Sequence, residues 1–182
     1  MFSYENFTTF YDAIAYMLFP IYILSLLIAW KNINTRLLIF ILLIVELIDS
    51  AMYKTALTFG NYYFLWSILM CLLFIVPVIC RRLIAIKLID KHIFFKSVID
   101  NYYFTKQEGA LLFLYSVSFV INAVTYIEGV LYYHYVIDSG PIRENLYAPI
   151  QSIVHILVGI QVLLLANKFK GKRYENYSKT IT

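Results

Sequence analysis

Apolar residues gather into five long stretches, at positions 13–30, 37–57, 62–80, 109–136 and 149–167, and polar residues concentrate in the segments between them. A helix rises about 1.5 Å per residue, so about 20 apolar residues cross the roughly 30 Å hydrocarbon layer of a bilayer. Each stretch is near that length. The pattern predicts an all-α, polytopic membrane bundle, a single embedded domain over 1–182 with about five transmembrane helices. Four spans are the alternative, because Pro20 divides the first stretch and the Phe- and Tyr-rich segment 1–16 reads as an amphipathic helix lying in the interface.

Composition points the same way. Of 182 residues, 62% are hydrophobic and 14% charged, against roughly 45–50% and about 25% in a soluble domain. A chain this short has too little interior to hide that much apolar surface from water, so lipid is the expected solvent. Disordered, collagen-like and disulfide-scaffold classes are excluded by 18% aromatic residues, 6 Gly and 2 Cys. Cys71 and Cys80 fall on one helix, about 13 Å apart along its axis, too far for a disulfide. They read as small apolar fillers.

The basic residues set the orientation. All Lys and Arg except Lys54 and Arg143 fall in the segment around Lys31 and Arg36, the connection 81–107, or the tail 168–182. Basic residues are retained on the cytoplasmic side of short loops, so the N-terminus is expected outside and the C-terminus inside, in a cell inner (plasma) membrane. The net charge of +4 is therefore an orientation signal beside lipid rather than a nucleic-acid footprint. Glu5 and Asp12 replace the basic start of a cleavable signal peptide, so the first span is expected to remain in place.

The connection 81–107 mixes Leu83, Ile86, Ile89, Phe94, Phe95 and Val98 with basic residues. It reads as an amphipathic helix at the headgroups or as a prolongation of the third span. Arg81, Arg82, Lys87, Lys91 and Lys96 would then face anionic lipid or dock a cytosolic protein partner. Asn101 to Tyr103 make a turn before the fourth span, where Glu108 suits a helix N-terminus. On the other side, Ser139, Gly140 and Pro141 signal a turn before Arg143 and Glu144. Tyr16, Tyr22, Tyr62, Tyr63, Trp66, Tyr132, Tyr133 and Tyr135 fall towards span ends, as an interfacial aromatic belt would.

The residues a bilayer should reject carry the functional information, since an ionisable side chain at mid-helix costs on the order of 2.5–3.5 kcal/mol. Glu46 and Asp49 share one face of the second span with Ser50 and Tyr53; Glu128 lies in the fourth span, and His155 in the fifth, one turn beyond Gln151. Their depths allow Glu46, Asp49, Glu128 and His155 to form one polar cluster, either fixing helix register or lining an ion path or ligand pocket. A second stripe, Ser118, Asn122, Thr125 and Gly129, reads as a helix-packing face within the bundle or between copies, and homo-oligomerisation is expected.

No GxSxG, Walker, GxGxxG, HExxH or CxxC motif occurs. No catalytic residue, cofactor or metal ligand set is assigned. The abundance of Phe, Tyr, Ile, Asn and Lys, encoded by A/T-rich codons, suits genes on prokaryotic mobile elements. The sequence is thus read as a non-enzymatic membrane subunit that self-assembles and acts as sensor or anchor for a cytosolic partner, in a phage-defence or immunity setting. The alternative is an ion or proton channel, or a small transporter, using the carboxylate–histidine cluster.

Overall fold

The computed structural model describes residues 4–167, with side chains from Ala13 onward except that of Ala15. The basic tail 168–182 and the side chains of Glu5 and Asp12 lie outside that description. Among the described residues there are only helices and turns. They run α1 (Tyr4–Ile28), α2 (Ile33–Leu57), α3 (Tyr63–Lys87), α4 (Ile93–Asp100), α5 (Lys106–Tyr133) and α6 (Tyr147–Asn167).

The five long helices close into a ring. α1 packs on α2 and α6, α3 on α2 and α5, and α5 on α6, while α2 and α6 face each other across the middle with little contact. The outside of the ring is apolar: Leu27, Phe40, Leu47, Ile79, Phe113, Ile127 and Ile153 are all exposed. The inside carries the polar groups, with Glu46, Ser118, Asn122, Gln151 and Ser152 buried. That distribution inverts a water-soluble protein and matches a hydrocarbon solvent.

α3 with its preceding turn (Gly60–Lys87), α5 (Lys106–Tyr133) and α6 with its preceding turn (Ile142–Asn167) are each long and apolar enough to cross a membrane. The apolar part of α1, Tyr16–Lys31, is shorter. α2 is 25 residues long but carries Arg36, Glu46, Asp49 and Lys54. Pro20 does not divide α1, which runs through it without a break, as α3 runs through Pro77. A proline inside a helix removes one backbone donor, a loss that membrane helices accommodate through neighbouring groups.

Caps and turns fix the ring's ends. The Asn32 side chain accepts from the Thr35 N–H at 3.1 Å at the start of α2, and the Thr105 hydroxyl accepts from the Glu108 N–H at 3.2 Å at the start of α5. Gly60, at φ +60°, supplies the left-handed residue that reverses the chain between α2 and α3.

The first part of the connection 81–107 follows the second of its two expected readings, a prolongation of the third span. Arg81 to Lys87 form the last turns of α3, which continues well past position 80. α4 is short, and its Val98 packs on Leu37 of α2 and Ala85 of α3. Its apolar face is therefore met by the chain itself as well as by whatever surrounds the protein.

Arg81 is the sharpest correction: it is not a surface residue but fully buried, at 0% exposure. Both its terminal nitrogens reach the Glu108 carboxylate at 3.1 Å, and Nη2 also donates to the Tyr103 carbonyl at 3.1 Å. Because α3 stays helical, Arg81 points into the ring opposite the first turn of α5, while Arg82, about 100° round the helix, is exposed. Tyr103 completes the knot. Its hydroxyl accepts from the Asn32 side chain and its carbonyl from that of Asn34, each at 3.1 Å. Burial pushes its phenol above the ordinary value, which keeps the hydroxyl protonated.

The stripe Ser118, Asn122, Thr125 and Gly129 faces inward, and its first three residues are buried. A Cβ at Gly129 would collide with the Asn61 side chain, whose Nδ2 donates to the Tyr126 carbonyl at 3.3 Å. Ser118, Asn122 and Thr125 thus pack within the bundle, the first of the two roles the stripe was expected to fill.

Two stability outcomes follow. Glu108→Gln leaves a buried guanidinium without its counter-ion and should cost about 3–5 kcal/mol, read as a lower Tm in detergent; pairing Arg81→Met with Glu108→Leu should recover most of it. Gly129→Ala should cost about 1–3 kcal/mol by overpacking, and adding Asn61→Ala should relieve most of that loss in the same melt.

Candidate functional site

A ring of five helices leaves space on its axis unless side chains fill it. On the Arg81 side they do, with Leu38, Ile39, Leu42, Val78, Leu111, Val162 and Leu165 buried in one core. Above them the filling stops. A cavity of about 420 Å³ opens between the five long helices, at the end of the ring where α2 turns into α3 and α5 is joined to α6.

Its floor is aromatic. The Tyr22 and Tyr115 hydroxyls share a hydrogen bond at 2.8 Å, and the Phe74 ring stacks on Tyr115 with centroids 4.9 Å apart. Tyr22 was expected at the membrane interface, but it is 1% exposed and belongs to this floor. Tyr16 and Tyr53, in edge-to-face contact at 6.1 Å, line the opposite end.

α2 supplies the charge. Glu46 and Asp49, almost one turn apart, both line the cavity with Ser50 and Tyr53. Asp49 accepts from the Trp66 indole N–H at 3.1 Å, so Trp66 also turns inward instead of marking the interface. Glu46 is 7% exposed and makes no hydrogen bond or ion pair among the described residues. α6 contributes Gln151, Ser152 and His155.

A hydrogen-bonded chain runs up the α5 wall. Tyr147 donates to Asn122 Oδ1 at 3.0 Å, Asn122 Nδ2 to the Ser118 carbonyl at 2.8 Å, and Ser118 Oγ to Gln151 Oε1 at 2.9 Å. Cys71, read from sequence as filler, donates its thiol to Ser118 Oγ at 3.4 Å and lines the same space. Cys80 is also a free thiol, half-buried further along α3. Gln151 Nε2 is left without a partner.

The expected four-residue cluster is therefore three. Glu46, Asp49 and His155 share the cavity; Glu128 does not. Its carboxylate accepts the backbone N–H groups of Ile142 at 2.9 Å and Arg143 at 2.7 Å, tying the far end of α5 to the turn that enters α6. Similar depth did not bring Glu128 to the cavity because its helical phase turns it towards Gly140 and the connecting loop. Anions suit unpaired N–H groups at the start of a helical segment, which explains this placement.

Arg143 also lines the cavity, with its guanidinium 5.7 Å from the Phe64 ring centroid, and it is exposed. Lys54 is exposed and outside the lining. Arg82, Lys87, Lys91 and Lys96 are all exposed at the closed end of the ring. Among the described residues no three His, Cys, Asp or Glu side chains converge as a metal site would require. What the arrangement offers is an aromatic-walled pocket with two carboxyls on one side and hydrogen-bonding amide, hydroxyl and imidazole groups on the other. Its volume falls within the range of about 300–1,000 Å³ common for small-molecule sites. No protein-family model matches the chain, and no curated protein or solved structure matches it.

Proposed function

We propose that this chain is a multi-pass inner-membrane protein that receives a small ligand in the cavity between its helices, as the sensing part of a membrane assembly. The carrying observation is the cavity itself, with Glu46, Asp49 and His155 brought to its wall from two helices that face each other across the ring. Polar groups at membrane depth are expensive and persist where a function uses them.

In this reading α1 and α2 cross the bilayer with the other three. α2 turns Glu46 inward and exposes Phe40, Ile44, Leu47 and Ile48, so its outer face is as apolar as its neighbours'. The distribution of Lys and Arg supports an orientation with the cavity mouth outside and the Arg81 end in the cytoplasm. Binding is favoured over conduction because the Tyr22–Tyr115 pair and the packed core below it close the axis. An ion or proton path would require them to separate. The anchoring of a cytosolic partner, as in a defence module, draws support from the four exposed cations Arg82, Lys87, Lys91 and Lys96 at that end.

Two measurements test this. In a chain lacking native cysteines, Ser139→Cys should react with an impermeant maleimide in intact cells and Lys172→Cys only after permeabilisation; the reverse pattern overturns the orientation. Ser50→Trp, on the half-buried lining of α2, should stay monodisperse in detergent while abolishing the thermal stabilisation given by hits from a small-molecule screen. Stabilisation that survives this filling places the site elsewhere.

A further inference from the structure

The cavity's charges are uneven, and their asymmetry selects a ligand class. Two carboxyls, Glu46 and Asp49, lie on one wall almost one helical turn apart. The lining cation, Arg143, is exposed and rests on the Phe64 ring at the rim, so its charge is shared with solvent and the ring face. His155 shares the cavity from α6, and Cys71 and the lining tyrosines add hydrogen-bonding groups. No cationic side chain among the described residues forms an ion pair with Glu46 or Asp49; the ion pair there is Arg81–Glu108, beyond the floor.

Glu46 is the telling residue. It is more than nine-tenths buried, lines the cavity, and has no hydrogen-bond partner, whereas Asp49 at least accepts from Trp66. Taking a carboxylate from water without a partner is costly, and a cation brought by a ligand removes that cost. Around the carboxyls stand Tyr16, Tyr22, Tyr53, Phe74 and Tyr115, whose ring faces attract cations and whose bodies cover apolar surface.

We propose that the cavity binds an organic monocation, an ammonium group carried on a compact apolar body, with the ammonium against Glu46 and Asp49 and the body among the aromatic rings. The volume suits one such molecule and is too small for a whole diacyl lipid. This rests on the reading of the cavity as a ligand site and adds the sign of the charge.

Three probes of one shape separate the two claims: adamantylamine, adamantanol and adamantanecarboxylate, titrated at neutral pH into the full chain in nanodiscs. The amine should bind about tenfold or more tightly than the other two, and Glu46→Gln and Asp49→Asn should each erase most of that preference. A substitution that merely loosened the fold would weaken all three probes alike, so the amine-to-alcohol ratio is the readout. Equal binding of amine and alcohol, tighter binding of the carboxylate, or a preference unchanged in both variants overturns the charge assignment. Loss of that same binding in Ser50→Trp would still keep the cavity as the site. If none of the probes binds, the organic-cation proposal falls, and the cavity reading is judged by Ser50→Trp against the screened ligands.

Discussion

Everything in this molecule depends on a solvent that cannot hydrogen-bond. Hydrocarbon leaves no external partner for a carboxyl or an amide, so polar side chains within the bundle must find one another, a bound molecule, or an end of the ring. Five amphipathic helices meet that demand by turning inward the faces that a soluble protein would turn outward. α2 is the clearest case: Glu46 and Asp49 face the axis, and Phe40 and Leu47 are left exposed on its outer face. The cavity is the geometric residue of this arrangement, since a closed ring with polar and aromatic linings does not pack to its centre.

Two carboxylates outside the cavity show how differently the same chemical group is used. Glu108 holds a buried guanidinium in a two-pronged grip that fixes the closed end, and it shares that guanidinium with the Tyr103 carbonyl. Glu128 pins two backbone N–H groups and fixes the opposite end. In both, each carboxylate oxygen has a protein donor. Glu46 stands apart because the described chain provides no hydrogen bond for it, and that contrast separates the structural carboxyls from the one that addresses the cavity.

Much of the architecture was legible from hydrophobic periodicity. The five apolar stretches correspond to the five long helices, and the inward face of α5 follows from the spacing of Ser118, Asn122 and Thr125. Ring order was not legible, because pairing between helices depends on side-chain packing that no single chain displays in its periodicity. That is why Glu128 was grouped with the cavity on depth alone, and why Arg81 was assigned to a surface on charge alone. A positive charge beside a predicted span end normally signals cytosol; here α3 runs on, and Glu108, recognised only as a favourable first-turn acid, proved to be its counter-ion. Tyr22 and Trp66 were misplaced for a related reason. A span-end aromatic looks the same in sequence whether it faces lipid or the ring interior. Cys71 and Gln151 carried a weak signal, being polar-capable residues on the inward faces of α3 and α6, but only the neighbouring helices reveal what they touch.

The contact between α1 and α6 has a bearing on how the protein is made. The ring has no covalent link at that seam; it closes where Gly159 of α6 lets Ile21 and Leu18 of α1 approach to side-chain distance. α1 therefore meets its most extensive partner only after α6 has been made. Until then, α2 has one flank of its acidic face open, and if that helix crosses the bilayer as proposed, each charged group left at mid-depth would cost of order 2.5–3.5 kcal/mol. Biogenesis must bridge that interval. In a bilayer, the half-built bundle would have to be sheltered, or keep its carboxyls neutral, until α6 arrives to seal the ring.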